Sequence, residues 1–240
     1  MLNNPSGQPV QGIIFDAVGT LIEPEPPVLI AYLNAARRQN IQLDPHTVRD
    51  RYRAAFHRQE NQDFRGPLAT DEATERRRWR RIVAEALPEI PDLNLAFDEL
   101  WIHFGKPESW RLYDDVPDAL NRLANAGIPF CIASNFDARL RSVVEGLPAL
   151  ARFAPSLNIS TEVGRRKPHR ALYEAARSSL GIDSAEAVLC VGDDPENDLM
   201  GPLRAGYQAL LIDRRGHHPE FRPSTNSLTS LADYLTTPGC

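Results

Sequence analysis

The stretch Gly12-Ile13-Ile14-Phe15-Asp16-Ala17-Val18-Gly19-Thr20-Leu21 decides how the rest of the chain is read. Ile13, Ile14 and Phe15 form a short apolar run bounded by turn residues, the pattern of a strand buried on both faces of a parallel sheet. Asp16 then falls at the carboxyl end of that strand, the edge on which open α/β sheets keep their ligand crevice. A carboxylate in that place can be an attacking nucleophile, a metal ligand or both. Taken alone, such a match reads better as an N-capping residue after a strand. The later strands decide between these readings.

Outward from that stretch, the bulk of the chain sets limits. The 240 residues are enough to bury a substantial core, and 42% hydrophobic with 25% charged residues is ordinary globular composition. A net charge of −5 argues against a nucleic-acid binder, which needs a basic footprint. No stretch has the length of a membrane span, and the polar start MLNNPSGQPVQG lacks the basic and apolar regions of a signal peptide. Cys131 and Cys190 lie inside apolar runs and Cys240 at the end, which suits free thiols in a reducing compartment. These features predict a soluble cytoplasmic protein. Lys106 and Lys167 are the only lysines, so any chemistry that needs an ammonium has two candidates.

Residues 1–11 read as an irregular lead-in. Beyond Asp16, Glu23-Pro24-Glu25-Pro26-Pro27 is a stiff exit that continues neither a helix nor a central strand. From about 28 to 104 the periodicity is helical throughout. Val28, Leu29, Tyr32, Leu33 and Ala36 share one face, and Val48, Tyr52, Ala55 and Phe56 another. The clearest helix spans 70–87, capped by Thr70, with Trp79, Ile82, Val83, Ala86 and Leu87 inward. Leu95, Leu100, Trp101 and Phe104 mark a further one. With no strand among them, these helices form an insertion over residues 25–107, leaving 12–24 and 108–240 as the main domain. Arg76, Arg77, Arg78, Arg80 and Arg81 avoid the apolar stripe and are expected on a solvated face; the alternative is that one or two face the crevice and receive an anion.

After the insertion, helices and strands alternate. Helical patterns over 116–126, closing at Gly127, and after Pro168 flank apolar runs at 128–133, 157–160, 187–191 and 208–212, with a closing helix over 228–235. This alternation predicts an α/β fold built on a doubly wound parallel sheet. All carboxyl ends of such a sheet lie on one edge. Asp16, the pair Ser134-Asn135, and Asp193-Asp194 with Asp198 therefore converge there, with Lys167 at a nearby helix start. Several aspartates so gathered call for a cation, and hard oxygen ligands select Mg²⁺. Thr20, Ser134 and Lys167 are donors suited to a phosphate-like anion. Asp194 reads more simply as a cap before Pro195, and His169 as a helix-surface residue.

Four motifs in order resemble the haloacid dehalogenase-like superfamily. Asp16-Ala17-Val18-Gly19-Thr20 matches its first motif, Ile132-Ala133-Ser134-Asn135 the second, and Lys167-Pro168 the third. Val191-Gly192-Asp193-Asp194-Pro195-Glu196-Asn197-Asp198 matches the fourth, and the helical insertion stands where this family carries its C1-type cap. The first motif is of the branch with Asp-Ala-Val-Gly-Thr-Leu. The resemblance implies a Rossmann-like core with an all-α cap after the first strand. It implies Asp16 as the nucleophile that takes up a phosphoryl group, with Thr20, Ser134 and Lys167 holding the anion. It further implies Mg²⁺ on Asp16, the Val18 carbonyl, Asp193 and Asp198, with Gly19 and Asn135 binding substrate.

One departure bears on activity. Family phosphatases carry a second Asp where Val18 stands, and that Asp protonates the leaving group. Val18 cannot move a proton, and general acid–base catalysis typically contributes ~10²–10⁴-fold. Three readings follow. The first is a Mg²⁺-dependent phosphatase acting on a small phosphorylated metabolite, weak or favouring good leaving groups. The second is a 2-haloacid dehalogenase, in which a carboxylate displaces halide without a proton donor, although Asp193 stands where dehalogenases have serine. The third is a non-catalytic phosphate-binding protein. The sequence names no substrate and no oligomeric state.

Overall fold

The computed structural model describes residues 9–236. The lead-in expected over 1–11 lies largely outside them, as does Cys240. Strand β1 (Gly12–Phe15) is buried at every residue and sits in the middle of a six-stranded sheet. Its neighbours are β4 (Phe130–Ser134) on one side and β6 (Val188–Gly192) on the other, both parallel to it. Outside these lie β5 (Leu157–Ile159) next to β4, then β7 (Gln208–Ile212) and the short β8 (Ser224–Thr225) beyond β6. Every pairing is parallel, as buried continuous apolar runs require. The α/β doubly wound fold is therefore present.

Helices cover both faces. One face packs α5 (Val116–Asn125), α6 (Arg139–Gly146) and α10 (Leu228–Thr236) onto Ile13, Phe15, Ile132, Leu189 and Val191. The other packs α8 (Arg170–Ser179) onto Ile14, Cys131, Ala133 and Cys190 through Leu172, Tyr173 and Ala176. Successive residues of β1 thus feed opposite cores, the alternation of a strand covered twice. Cys131 and Cys190 are buried free thiols.

Between β1 and the helical segment the chain first makes β2 (Ile22–Pro24), which pairs antiparallel with β3 (Trp110–Leu112). The proline-rich exit is thus partly a strand. Pro24, which has no N–H to donate, ends it. Helices α1 (Val28–Arg38), α2 (Pro45–Phe64), α3 (Glu72–Ala86) and α4 (Leu93–His103) follow with no strand among them and share a separate core of Ala31, Tyr32, Ala35, Val48, Val83, Phe97 and Leu100. No helix among the described residues is long and apolar enough to cross a membrane.

Local detail departs from expectation at several termini. Asp71 rather than Thr70 caps α3, accepting from the Thr74 N–H at 2.7 Å, while the Thr70 hydroxyl donates to Glu75 at 2.9 Å. An ionised carboxylate is the stronger acceptor at a helix N-terminus. Pro168 does not open α8; His169 does, its Nδ1 accepting from the Ala171 N–H at 3.2 Å, so His169 is a cap and not merely a surface residue. At the start of α6 Ala138 holds the cap position, and the Asp137 carboxylate accepts both from the Arg139 N–H at 3.2 Å and from the Arg139 guanidinium. Leu95 points outward at 48% exposure, so the inward face of α4 rests on Ala96, Phe97 and Leu100.

Candidate active site

Phe15 pairs in register with Ile132 on one side and Val191 on the other, which sets Asp16 level with the ends of β4 and β6. The Asp16 N–H donates to the Val191 carbonyl at 2.8 Å, fixing the backbone just where the strand stops. Asp16, Asp193 and Asp198 each place a carboxylate oxygen within 4.8 Å of the others. Lys167 joins them: its Nζ donates to Asp16 Oδ1 and to Asp198 Oδ1, each at 2.7 Å. Four residues far apart in sequence therefore meet at the carboxyl edge. Lys106 is exposed on the return from the helical segment and takes no part.

Close packing makes this possible only where side chains are absent. A Cβ on Gly19, whose φ is +92°, would lie 2.2 Å from Asp193 Oδ2. A Cβ on Gly192 would lie 2.2 Å from Asp198 Cγ. Both glycines clear space for a carboxylate, and Gly19 also takes a backbone conformation that L side chains resist. Asp198 is delivered by a wide π-helical turn over Pro195–Met200. Asp194 caps that turn, accepting from the N–H groups of Glu196 at 2.9 Å and Asn197 at 2.7 Å.

The remaining expected residues lie close by. Thr20 is fully buried and its hydroxyl donates to Asp193 Oδ1 over a long 3.4 Å. Ser134, Val18 and Gly19 line the same cavity as the aspartates. Asn135 lines it too, but its amide faces Lys167: Nδ2 donates to the Lys167 carbonyl at 3.1 Å, and the Lys167 N–H donates to Oδ1 at 2.7 Å. That reciprocal pair fixes the backbone that carries the ammonium.

Electrostatics follow from burial. Burial raises the Asp16 carboxyl to about 6 against the pull of Lys167, with Asp198 adding to the rise. Asp193 is pushed well above the usual carboxylate range by burial and by the charges of Asp16 and Asp198. Burial opposes charge on Lys167, but the two carboxylates it touches overcome this and keep its pKa above the ordinary lysine value. Fully ionised, three carboxylates facing one ammonium would leave two negative charges uncompensated among these four groups, and that repulsion adds to burial in raising Asp16 and Asp193.

The cavity, of about 350 Å³, runs from this edge up between the helices and is lined there by Tyr52, Phe56, Trp79, Phe97 and Trp101. Its wall includes charged residues that the sequence reading placed elsewhere or passed over. Arg78 is 4% exposed, against the expectation of a solvated face; Arg76, Arg77, Arg80 and Arg81 do face solvent. Arg78 Nε donates to Asp63 at 3.0 Å, and Arg166, next to Lys167, pairs with the buried Glu75. Arg139 forks onto Asp137 with two 2.7 Å bonds, donates to the Trp101 carbonyl and stands 3.4 Å from the Trp101 ring centre. A usable signal existed: Glu75, Arg78 and Ile82 recur at helical spacing on the apolar face of α3.

Contacts also tie the helical segment to the sheet-bearing part. Glu72 accepts from the Ala138 N–H at 2.9 Å and from the Thr161 hydroxyl. The Arg166 N–H donates to the Leu68 carbonyl at 2.9 Å, and the Thr70 N–H to the Gly164 carbonyl at 3.2 Å.

Comparison with known proteins agrees with this geometry. The human haloacid dehalogenase-like hydrolase domain-containing protein 3 is 26% identical over 239 residues, covering 95% of this chain and 93% of its own. Among solved structures, a haloacid dehalogenase-superfamily phosphatase from Thermococcus onnurineus superposes with a TM-score of 0.66 at 20% identity, covering 94% of this chain and 98% of its own. An L-2-haloacid dehalogenase from Xanthobacter autotrophicus, with chloropropionic acid covalently bound, gives 0.68 at 17% identity, covering 96% and 100%. At such identities these two structures share the fold. The family model for haloacid dehalogenase-like hydrolases matches residues 10–206, which takes in β1 and every carboxylate of the cluster. With the sheet order, the acidic edge and that match in agreement, the chain belongs to the haloacid dehalogenase-like hydrolases.

Proposed function

We propose that the protein is a Mg²⁺-dependent phosphatase that acts on a small phosphorylated metabolite through an aspartyl-phosphate on Asp16. The observation that carries this reading is the cluster of Asp16, Asp193 and Asp198 around Lys167, which would hold two surplus negative charges when fully ionised. Hard oxygen donors and a charge deficit of that size fit a divalent cation such as Mg²⁺. Asp16, Asp193, Asp198 and the Val18 carbonyl would hold it. When bound, it would offset the negative charge of the phosphoryl oxygens.

The chain's own residues supply the rest. An Asp16 oxygen attacks phosphorus in line with the ester oxygen, the P–O bond to the leaving group breaks, and the departing alkoxide takes a proton from solvent. Water then attacks the acyl-phosphate, releasing inorganic phosphate and restoring Asp16. Lys167, Ser134 and Thr20 hold the phosphoryl oxygens, Gly19 admits the substrate beside Asp193, and Asn135 fixes Lys167. Val18 offers no proton, so aryl and acyl phosphates, whose leaving groups need none, are the favoured substrates. Residues 25–107 act as a helical cap over a core made of 12–24 and 108–240. The buried thiols of Cys131 and Cys190 suit a reducing compartment, and the cytoplasm is the proposed location.

The presence of Val18 also suits a second reading, displacement of halide from a 2-haloacid by Asp16. Asp193 opposes it, because a second carboxylate beside the nucleophile repels an anionic haloacid. The deciding experiment is hydrolysis of p-nitrophenyl phosphate and acetyl phosphate in Mg²⁺ and in EDTA, beside halide release from 2-chloropropionate. Mg²⁺-dependent phosphate release that Asp16→Asn abolishes is expected. Halide release that EDTA leaves intact would transfer the protein to the dehalogenases.

A further inference from the structure

Away from the carboxylates, the cavity is walled by rings. Tyr52, Phe56, Trp79, Phe97, Trp101 and Trp110 line it, and they include all three tryptophans of the chain. Among these rings lies Arg78, buried at 4% exposure, lining the same cavity. Its guanidinium stands 5.1 Å from the Phe56 ring centre and 5.7 Å from that of Trp79. Nε is engaged by Asp63, but Nη2 is buried with no hydrogen-bond partner among the described residues. Buried donors on a charged group are almost always satisfied, so an orphan beside a cavity marks the place of a missing acceptor.

The surrounding charges define that acceptor. Arg78 and Arg166 face Asp63 and Glu75, a quartet with no net charge. Glu60, on the same cavity wall, adds a negative charge. An anion seated against Arg78 would meet no surplus of positive charge and would be repelled by Glu60. A neutral oxygen has neither problem. The volume of about 350 Å³ lies at the small end of ligand sites and suits a compact, single-ring body.

We propose, building on the phosphoryl-transfer reading above, that the substrate is the phosphate monoester of a compact, flat, apolar alcohol, aromatic in kind. At the end away from phosphate it carries a neutral oxygen acceptor, which Arg78 Nη2 receives. The rings grip the body by stacking and by exclusion of water, and Arg78 selects among bodies of equal shape.

The test is calorimetric titration of the Asp16→Asn protein in Mg²⁺, so that binding is read without turnover. The probes are 4-acetylphenyl phosphate, its near-isostere 4-isopropylphenyl phosphate, glycerol 3-phosphate, and phosphate-free 4-hydroxyacetophenone. Both aryl phosphates are expected to bind at least about tenfold tighter than glycerol 3-phosphate, and the acetyl compound about tenfold tighter than the isopropyl one. Arg78→Met, checked for folding by circular dichroism, should bring that last ratio to about one. Equal binding of glycerol 3-phosphate and the aryl phosphates overturns the aromatic chamber. A ratio of one in the parent protein, which needs no variant, or a ratio that survives Arg78→Met, overturns the role of Arg78. If 4-hydroxyacetophenone binds in an Arg78-dependent way while phosphate adds nothing to affinity, the chamber stands and the phosphoryl reading falls.

Discussion

Gly19 and Asp193 occupy nearly the same space: a methyl group on the first would lie 2.2 Å from an oxygen of the second. With φ at +92°, Gly19→Ala meets both a strained backbone and a carboxylate in the way. We expect the variant to lose about 1–3 kcal/mol of stability and at least tenfold in Mg²⁺ affinity as Asp193 is displaced. Calorimetric Mg²⁺ titration beside a urea melt reads both; unchanged affinity would mean that Asp193 is not a ligand.

Val18 stands two residues beyond the proposed nucleophile and has no proton to give. Val18→Asp should raise kcat/KM for an alkyl phosphate such as glycerol 3-phosphate by about 10- to 100-fold, with a smaller change for p-nitrophenyl phosphate. The comparison of the two substrates is the measurement. No change in a folded variant that binds Mg²⁺ would show that this position does not reach the leaving group.

Glu75 is 1% exposed and receives both Arg166 and the Thr70 hydroxyl. Replacing it by Leu leaves the Arg166 charge buried with only Asp63, at 3.7 Å, to offset it. Breaking a buried pair in this way costs roughly 3–5 kcal/mol. A loss of that size in the unfolding free energy from urea melts is expected, and a loss below about 1 kcal/mol would show that the pair is solvated in solution.

Asp115 gathers the C-terminal helix: its Oδ2 accepts from Leu228 N–H at 2.8 Å, from Arg214 at 3.0 Å and from the Ser227 hydroxyl at 3.1 Å. Burial works to raise its pKa, but the bonds from Arg214 and the Leu228 N–H outweigh it and leave the carboxyl below its ordinary value of 3.8. A carboxyl that is more acidic when folded stabilises the fold above its unfolded pKa, and the contribution is lost as pH falls through the folded one. Asp115→Asn should therefore cost about 2 kcal/mol at neutral pH, lowering Tm by roughly 5 °C. The gap between variant and parent should close below pH 4, which thermal melts from pH 7 to pH 3 would show.

The strands and the acidic edge were legible because each is written locally. Ile13 to Phe15, Phe130 to Ala133 and Val188 to Val191 are apolar runs that stop at the residue carrying the chemistry. Arg78 is the arginine that meets the alternative of facing the crevice, and the preferred solvated face failed for it because its partner, Asp63, sits on a different helix, α2. In a run of three arginines, only the helical turn relating position 78 to Glu75 and Ile82 shows which one faces inward. The cap of α3 was misassigned by one residue, since Thr70 and Asp71 both suit the role and only the free hydroxyl-to-Glu75 bond separates them. Asn135 lines the cavity as expected of a substrate contact, but its pairing with the Lys167 backbone could not be read locally because only the fold brings the two together.

The central place of β1 has a consequence in time. It leaves the ribosome well before its two partners, Phe130–Ser134 and Val188–Gly192, which are made more than a hundred residues later. Until residue 192 has emerged, a wholly apolar strand has at least one open edge, a template for pairing with other chains. The helices over 28–103 have a core of their own and depend on no distant strand for it. Newly made chains should thus pass through a state with helices packed and Asp16 unplaced, and the acidic edge should close only when β6 docks.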